Sequence, residues 1–315
     1  DDSEAGHARR KVFEKALCDS PASLKSRRLS PTDDVTRRSN ESVTDVVFVM
    51  HGIRDTGYWT QKVARKVEEI GGHPPKLYAS ETSSYGYFAM LSFLLPSQRR
   101  KKVQWLMDQY VEARSLYPNA RFSYVGHSNG TYLVAKALVD YPSCRFDRIV
   151  FAGSVVRTDY DWGRHIDGGR VEAVLNYVAT ADWIVAVLPG AWEMVNRQDL
   201  GSAGHNGFKK LHPKVFQTRF VRGGHSCARE EDNWTDIAKF IVAEEPQQEP
   251  NRLAVPTQNR IVVALGRTAP FWWLVIIAIL VLLGWLSFSI GGNFHHPVLA
   301  VLVYSWVIWK IVSKV

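Results

Sequence analysis

Residues 268–309 include no Asp, Glu, Lys or Arg, a run of 42 residues in a chain of 315. Uncharged length on that scale is costly to bury in one domain of ordinary size. Within it residues 270–290 supply 21 residues, enough for a helix to cross a hydrocarbon core of about 30 Å. Gly291-Gly292-Asn293 breaks the run, and residues 297–313 supply 17 more. Trp272, Trp273, Trp306 and Trp309 stand near the expected ends, where interfacial tryptophan is enriched. Residues 269–315 are therefore expected to form a transmembrane helical hairpin. Arg252, Arg260 and Arg267 precede it, Lys310 and Lys314 follow it, and the connecting loop has no charge. The positive-inside rule then places both ends, and the rest of the protein, in the cytoplasm.

All remaining charge lies in the first 267 residues and the last six. With 46% hydrophobic and 22% charged residues, the chain is neither disordered as a whole nor collagen-like. Residues 1–44 read as a polar, disordered arm; its first 40 residues hold nine Lys/Arg against seven Asp/Glu, a mixed rather than polybasic pattern. The net charge of +8 comes without a basic-aromatic motif, so no nucleic-acid partner is expected. Cys18, Cys144 and Cys227 are widely spaced and odd in number, which favours a reducing compartment over a disulfide framework or zinc site. The chain begins at Asp1 rather than Met, leaving room for a missing N-terminal segment, and shows no signal peptide.

Residues 45–243 alternate in character. The run Asp45-Val-Val-Phe-Val-Met50 has the β-branched, continuously apolar pattern of a strand buried on both faces. Further strands are expected at 76–80, 121–125, 148–156, within 171–180, and at 215–221. Helices are expected at 59–70, 96–116, 129–140, 183–195 and 233–242. Strands alternating with helices imply a mostly parallel sheet covered on both faces. Residues 244–268, with two prolines in Glu244-Glu-Pro-Gln-Gln-Glu-Pro-Asn251, read as a linker.

Gly126-His-Ser128-Asn-Gly130 matches G-x-S-x-G, between an expected strand and an expected helix. That setting is what a nucleophile elbow requires. The glycines permit a strained, closely packed turn, and the serine is held at a helix N-terminus where backbone N–H groups can meet developing negative charge. A Gly/Ser turn without chemistry is the plainer alternative.

With these residues the sequence resembles the α/β-hydrolase superfamily over roughly residues 45–242. The resemblance implies the chain order nucleophile, acid, base. It implies that His51-Gly52-Ile53, after the first strand, is the oxyanion loop, with the backbone N–H groups of Ile53 and Asn129 as donors and the His51 side chain bracing the loop. His225, in Val221-Arg-Gly-Gly-His225-Ser, holds the family's position for the base, after the last strand; His205 and His212 precede that strand. Asp182 stands just past a strand end and is the expected acid, with a helix N-cap as its alternative role. Asp159, Asp161 and Asp167 lie in the preceding loop.

The connection 157–169 is too short for a separate lid domain. Tyr85-Gly-Tyr-Phe88 and Met90-Leu-Ser-Phe-Leu-Leu95 are the expected apolar wall near the site, with ordinary core packing as the alternative. Arg99-Arg-Lys-Lys102 reads as a solvated helix face or, less plainly, a cluster leaning on anionic headgroups. No metal-ligand motif or cofactor is expected. The function these residues imply is a membrane-anchored serine hydrolase acting on a small-molecule or lipid ester, with the bilayer as a further partner. The contrasting reading is a catalytically silent hydrolase-like module that positions a partner at the membrane.

Overall fold

The computed structural model describes residues 42–53, 58–73, 76–82, 93, 95–194, 199–247, 251, 253–293 and 296–314. Along the chain these form β1 (Asp45–Met50), α1 (Tyr58–Gly71), β2 (Tyr78–Glu81), α2 (Pro96–Leu116), β3 (Arg121–His127) and α3 (Asn129–Asp140). There follow β4 (Phe146–Ala152), α4 (Trp162–Asp167), β5 (Val171–Ala179), α5 (Trp183–Met194), α6 (Ala203–Asn206), β6 (Val215–Val221) and α7 (Glu231–Val242). The C-terminal part holds α8 (Arg260–Arg267), α9 (Ala269–Asn293) and α10 (Pro297–Lys314).

The fold is α/β, with a six-stranded sheet of order β2-β1-β3-β4-β5-β6 in which every neighbouring pair is parallel. Every residue of β1 is buried, and successive side chains of a strand face opposite ways. Val46, Phe48 and Met50 join one core with α2 and α3; Val47 and Val49 join the other with α1 and α7. The two faces thus need apolar residues at consecutive positions. Helix α1 is amphipathic to match and buries Trp59, Val63, Ala64 and Val67; α2, opened by Pro96, buries Val103, Leu106, Met107 and Tyr110.

Three strands have other bounds than the sequence predicts: β2 lies at 78–81 rather than 76–80, β3 at 121–127 rather than 121–125, and β4 at 146–152 rather than 148–156. β3 runs on through Gly126 to His127, and β4 stops at Ala152, where Gly153 turns the chain at φ +56°. Arg99 is fully buried: its guanidinium bonds Asp199 at 2.7 Å and the Phe93 carbonyl at 2.7 Å, so this residue of the basic cluster is part of the core rather than a headgroup contact. Residues 85–88, 90–92 and 94 of the expected apolar wall, and residues 1–41 of the arm expected at 1–44, lie outside the described residues. Val43 and Phe93 pack in the core, and Thr44 N–H donates to Leu77 O at 3.0 Å, so the end of the expected arm is packed against the domain.

Residues 253–255 are fastened to β6, with Phe220 N–H donating to Val255 O at 3.0 Å and Val255 N–H donating back at 2.8 Å. Helix α8 follows, capped by the Asn259 side chain. Helices α9 and α10 pack on each other, Tyr304 Oη donating to Leu280 O at 2.6 Å beside Gly284. Among the described residues one helix, over Ala269–Ile290, is long and apolar enough to cross a membrane; the second offers the shorter apolar run Pro297–Ile308.

Candidate active site

The strand order reverses direction at β1: the chain steps from β1 outward to β2, then returns to β3 on β1's other side. In open α/β sheets such a switch leaves a crevice outside the carboxyl ends of the two strands. His51-Gly52-Ile53 follows β1 at that crevice, and Ser128 follows β3. A Cβ added to Gly52 would lie 2.7 Å from Ser128 Cβ and 3.3 Å from its Oγ. The two loops are in contact because residue 52 has no side chain.

Ser128 is held at φ 53° and ψ −121°, and is the only non-glycine with positive φ among the described residues. Such a conformation costs about 1–3 kcal/mol and persists only where its surroundings fix it. They do so here. Ser128 N–H donates to Ala152 O at 3.0 Å, while Thr131 Oγ1 donates to Ser128 O at 2.7 Å. Tyr124 Oη donates to Gly130 O at 2.7 Å, and a Cβ on Gly130 would sit 2.7 Å from Met50 O. Gly126 is similarly confined, against Tyr124 and Gly130. Gly130 is therefore required by close packing of α3's first turn against the end of β1, and Gly126 by the close approach of that same turn to β3. Asn129 is the first residue of α3, which places its backbone N–H at the helix N-terminus beside Ser128.

The loops that follow β5 and β6 meet at the ends of those strands. Thr180 Oγ1 accepts from Gly223 N–H at 2.9 Å, and Ala181 N–H donates to Gly223 O at 2.9 Å. This lacing brings His225 Nδ1 to 2.9 Å from Asp182 Oδ2. Asp182 is fully buried, and its other oxygen, Oδ1, accepts from Val185 N–H at 3.0 Å in the first turn of α5. Both roles weighed for this residue, cap and partner of the imidazole, thus belong to one carboxylate. Its bond to Nδ1 leaves Nε2 as the nitrogen able to take a proton.

His225 also packs on Gly153, whose Cβ position is 2.8 Å from the ring's Cε1. Gly153 directly follows Ala152, the residue bonded to Ser128 N–H, so serine and imidazole flank the same end of β4. Among the described residues no hydrogen bond joins Ser128 Oγ to the ring; in substrate-free sites such bonds are commonly long and tighten on binding. His51 Nδ1–H donates to Gly52 O at 2.8 Å within the first loop. Of the rival histidines, His212 pairs with Asp167 at 3.3 Å on the surface, and His205 is buried at α6, its Nδ1 without a hydrogen bond.

His127 has a place that sequence reasoning left unassigned. It is the variable residue before the serine, buried, with its ring 4.8 Å from that of His225 and edge-on to Trp59. Burial, and then the neighbouring positive charge of His225 and Arg229, push its pKa well below the usual 6.5 and keep it neutral. Its Nε2 is 3.2 Å from His225 O, so in the neutral ring Nε2–H donates there and braces the loop that carries His225. The only signal for this was its adjacency to Ser128. Among the described residues no cluster of metal-ligating side chains occurs.

No protein-family model matches the chain, and no curated protein matches it. Two solved structures to which it is similar are the product of gene lin2722 from Listeria innocua and TT1662 from Thermus thermophilus. The first shares 12% identity at a TM-score of 0.40, covering 65% of this chain and 96% of that one. The second shares 12% identity at a TM-score of 0.36, covering 61% and 85%. Neighbours this distant do not say what the chain does; its own fold is an α/β fold built on a parallel six-stranded sheet.

Proposed function

We propose that this protein is a membrane-anchored serine hydrolase that cleaves carboxylic esters. The reading rests above all on the 2.9 Å bond from His225 Nδ1 to the buried Asp182 carboxylate, at the same end of the sheet as a serine in a strained elbow. In this scheme Ser128 Oγ attacks the ester carbonyl as His225 Nε2 takes its proton. The backbone N–H groups of Ile53 and Asn129 receive the oxyanion. The tetrahedral intermediate collapses with the alcohol leaving, protonated by His225, and an acyl group remains on Ser128. Water, deprotonated by the same imidazole, then releases the carboxylic acid and restores the serine. Asp182 holds the imidazole in the Nδ1–H tautomer and stabilises its charge when protonated.

Helices α9 and α10 form the membrane hairpin in this reading, with the catalytic part on the cytoplasmic side. The substrate is a small-molecule or lipid ester, and no cofactor takes part. Fluorophosphonate labelling of the full chain in detergent is the test. Labelling that disappears in Ser128→Ala supports the hydrolase. A folded wild-type protein that takes no label, beside a serine hydrolase that does, would replace it with the silent membrane-tethered module.

A further inference from the structure

The route from the sheet to α9 runs directly past the site. After residues 253–255 pair with β6, Asn259 N–H donates to Thr180 O at 3.0 Å, two residues before Asp182. Helix α8 therefore starts at the carboxyl end of β5, where the acid stands. It packs on α5 through Gly266, where a Cβ would be 3.1 Å from Ala186 Cβ, and buries Val262. One residue after α8 ends, α9 begins, and Trp273 Nε1–H donates to Val187 O at 3.1 Å. Val187 is five residues beyond Asp182, about 7.5 Å of helical rise. The helix long enough to cross a membrane thus leaves the protein within about two turns of the acid.

The outer face of α8 has the character of an interfacial helix. Ile261 and Leu265 are exposed at i and i+4, with Ile261 71% exposed. Arg260 and Arg267, seven residues apart, lie on one flank, and neither enters an ion pair among the described residues. A shallow groove of about 400 Å³ runs between them. Trp183, next to Asp182, is 56% exposed on α5. Scattered exposed apolar residues need no explanation. These are continuous in the chain with Phe271 and Trp272, exposed on the first turns of α9, and cations beside an apolar helix face suit anionic headgroups.

We propose that α8, together with the exposed start of α5, is seated in the headgroup region of an anionic bilayer, which holds the Asp182–His225 end of the sheet against the membrane. The inference rests on reading α9 as a span. It deepens the proposed function by making the substrate an ester drawn from the bilayer surface rather than from bulk water.

Spin labels on the full chain test this in vesicles of phosphatidylcholine with phosphatidylglycerol as the minor component. In a Cys18→Ala background, labels are placed by Ile261→Cys on α8, Val281→Cys within α9, and Leu211→Cys, an exposed residue before β6 at the opposite end of the sheet. Leu265→Cys repeats the α8 measurement should the first variant fold poorly. Collision with oxygen, relative to a water-soluble nickel chelate, is expected to be several-fold higher at Ile261 and Val281 than at Leu211. An Ile261 label as aqueous as Leu211, beside a lipid-exposed Val281, overturns the seat and leaves the span. An aqueous Val281 overturns both. An Ile261 ratio that falls without phosphatidylglycerol supports a contribution from the two arginines; an unchanged ratio removes them from the proposal.

Discussion

Replacing Asp182 by asparagine separates the two tasks of one carboxylate. Asn keeps an oxygen to accept from Val185 N–H, the 3.0 Å bond that caps α5. It puts an amide N–H donor where Oδ2 now accepts from His225 Nδ1 at 2.9 Å. Two donors cannot share that bond, so the imidazole must move its proton to Nε2 and present an N–H to Ser128 instead of a lone pair. The corresponding change in serine proteases leaves the geometry intact and lowers kcat by about 10⁴, or about 5.4 kcal/mol of transition-state stabilisation. Stability should change by no more than about 1 kcal/mol, the net worth of one hydrogen bond. Asp182→Ala should lose activity as well and, by removing the cap, about 1 kcal/mol of stability. Turnover of a p-nitrophenyl ester and the rate of fluorophosphonate labelling, each beside a thermal melt in detergent, measure both effects. A role as cap alone predicts an Asn variant of near-normal activity. If that variant stays within about tenfold of wild type, Asp182 does not orient a catalytic base.

Other perturbations follow from the same contacts. Gly52→Ala places a Cβ 2.7 Å from Ser128 Cβ, so the His51–Ile53 loop must retreat; kcat should fall about 10²–10³, as for loss of one oxyanion donor, and an unchanged kcat would remove this loop from the mechanism. Arg148 is buried and donates to Phe240 O at 2.8 Å and Glu244 O at 3.0 Å at the end of α7. Arg148→Met leaves those carbonyls unpaired and should destabilise by about 2–4 kcal/mol with little effect on turnover below the melting range, read by chemical denaturation. The pKa of His165 is pushed down from 6.5 to about 4 by burial, with Arg170 and Arg164 adding to the shift. Between those values the unfolded chain binds the extra proton, so stability present above pH 6.5 is lost as pH falls toward 4. Melts across that window should show a smaller loss in His165→Gln, and an identical loss would mean that this histidine is not titrating there.

Much of this site is legible in the sequence because its signals are local. A strand such as Asp45–Met50 must satisfy two cores at once, and continuous burial writes itself as an uninterrupted apolar run. The elbow is local as well, since its glycines are set by contacts within a few residues and with one neighbouring strand. What escaped reading depends on distance in the chain. Arg99 looks solvated among Arg100, Lys101 and Lys102, yet it is buried because Asp199, a hundred residues on, supplies its counterion. Helices α4, of six residues, and α6, of four, are too short to show a period. Helix α8 is hidden in a proline-bearing stretch, although its Asn259 cap and the apolar spacing of Val262 and Gly266 are visible once the helix is known. His127 carries no pattern; only the three-dimensional approach of the β6–α7 loop gives its ring a partner.

Helix α5 is where the two halves of the molecule meet. Its first turn is anchored by Asp182 Oδ1, its Ala186 receives Gly266 of α8, and its Val187 carbonyl receives the Trp273 indole of α9. The carboxylate bonded to the imidazole therefore caps the same short helix that carries the attachment of the apolar helices. In a close-packed interior, displacement of one face of such an element is passed to the other rather than absorbed. A geometry good to a fraction of an ångström at Asp182 thus requires α5 to be fixed on both sides. The contacts with α8 and α9 provide the second side, which makes these helices part of the site's support and, in the proposed membrane-anchored reading, its tether as well.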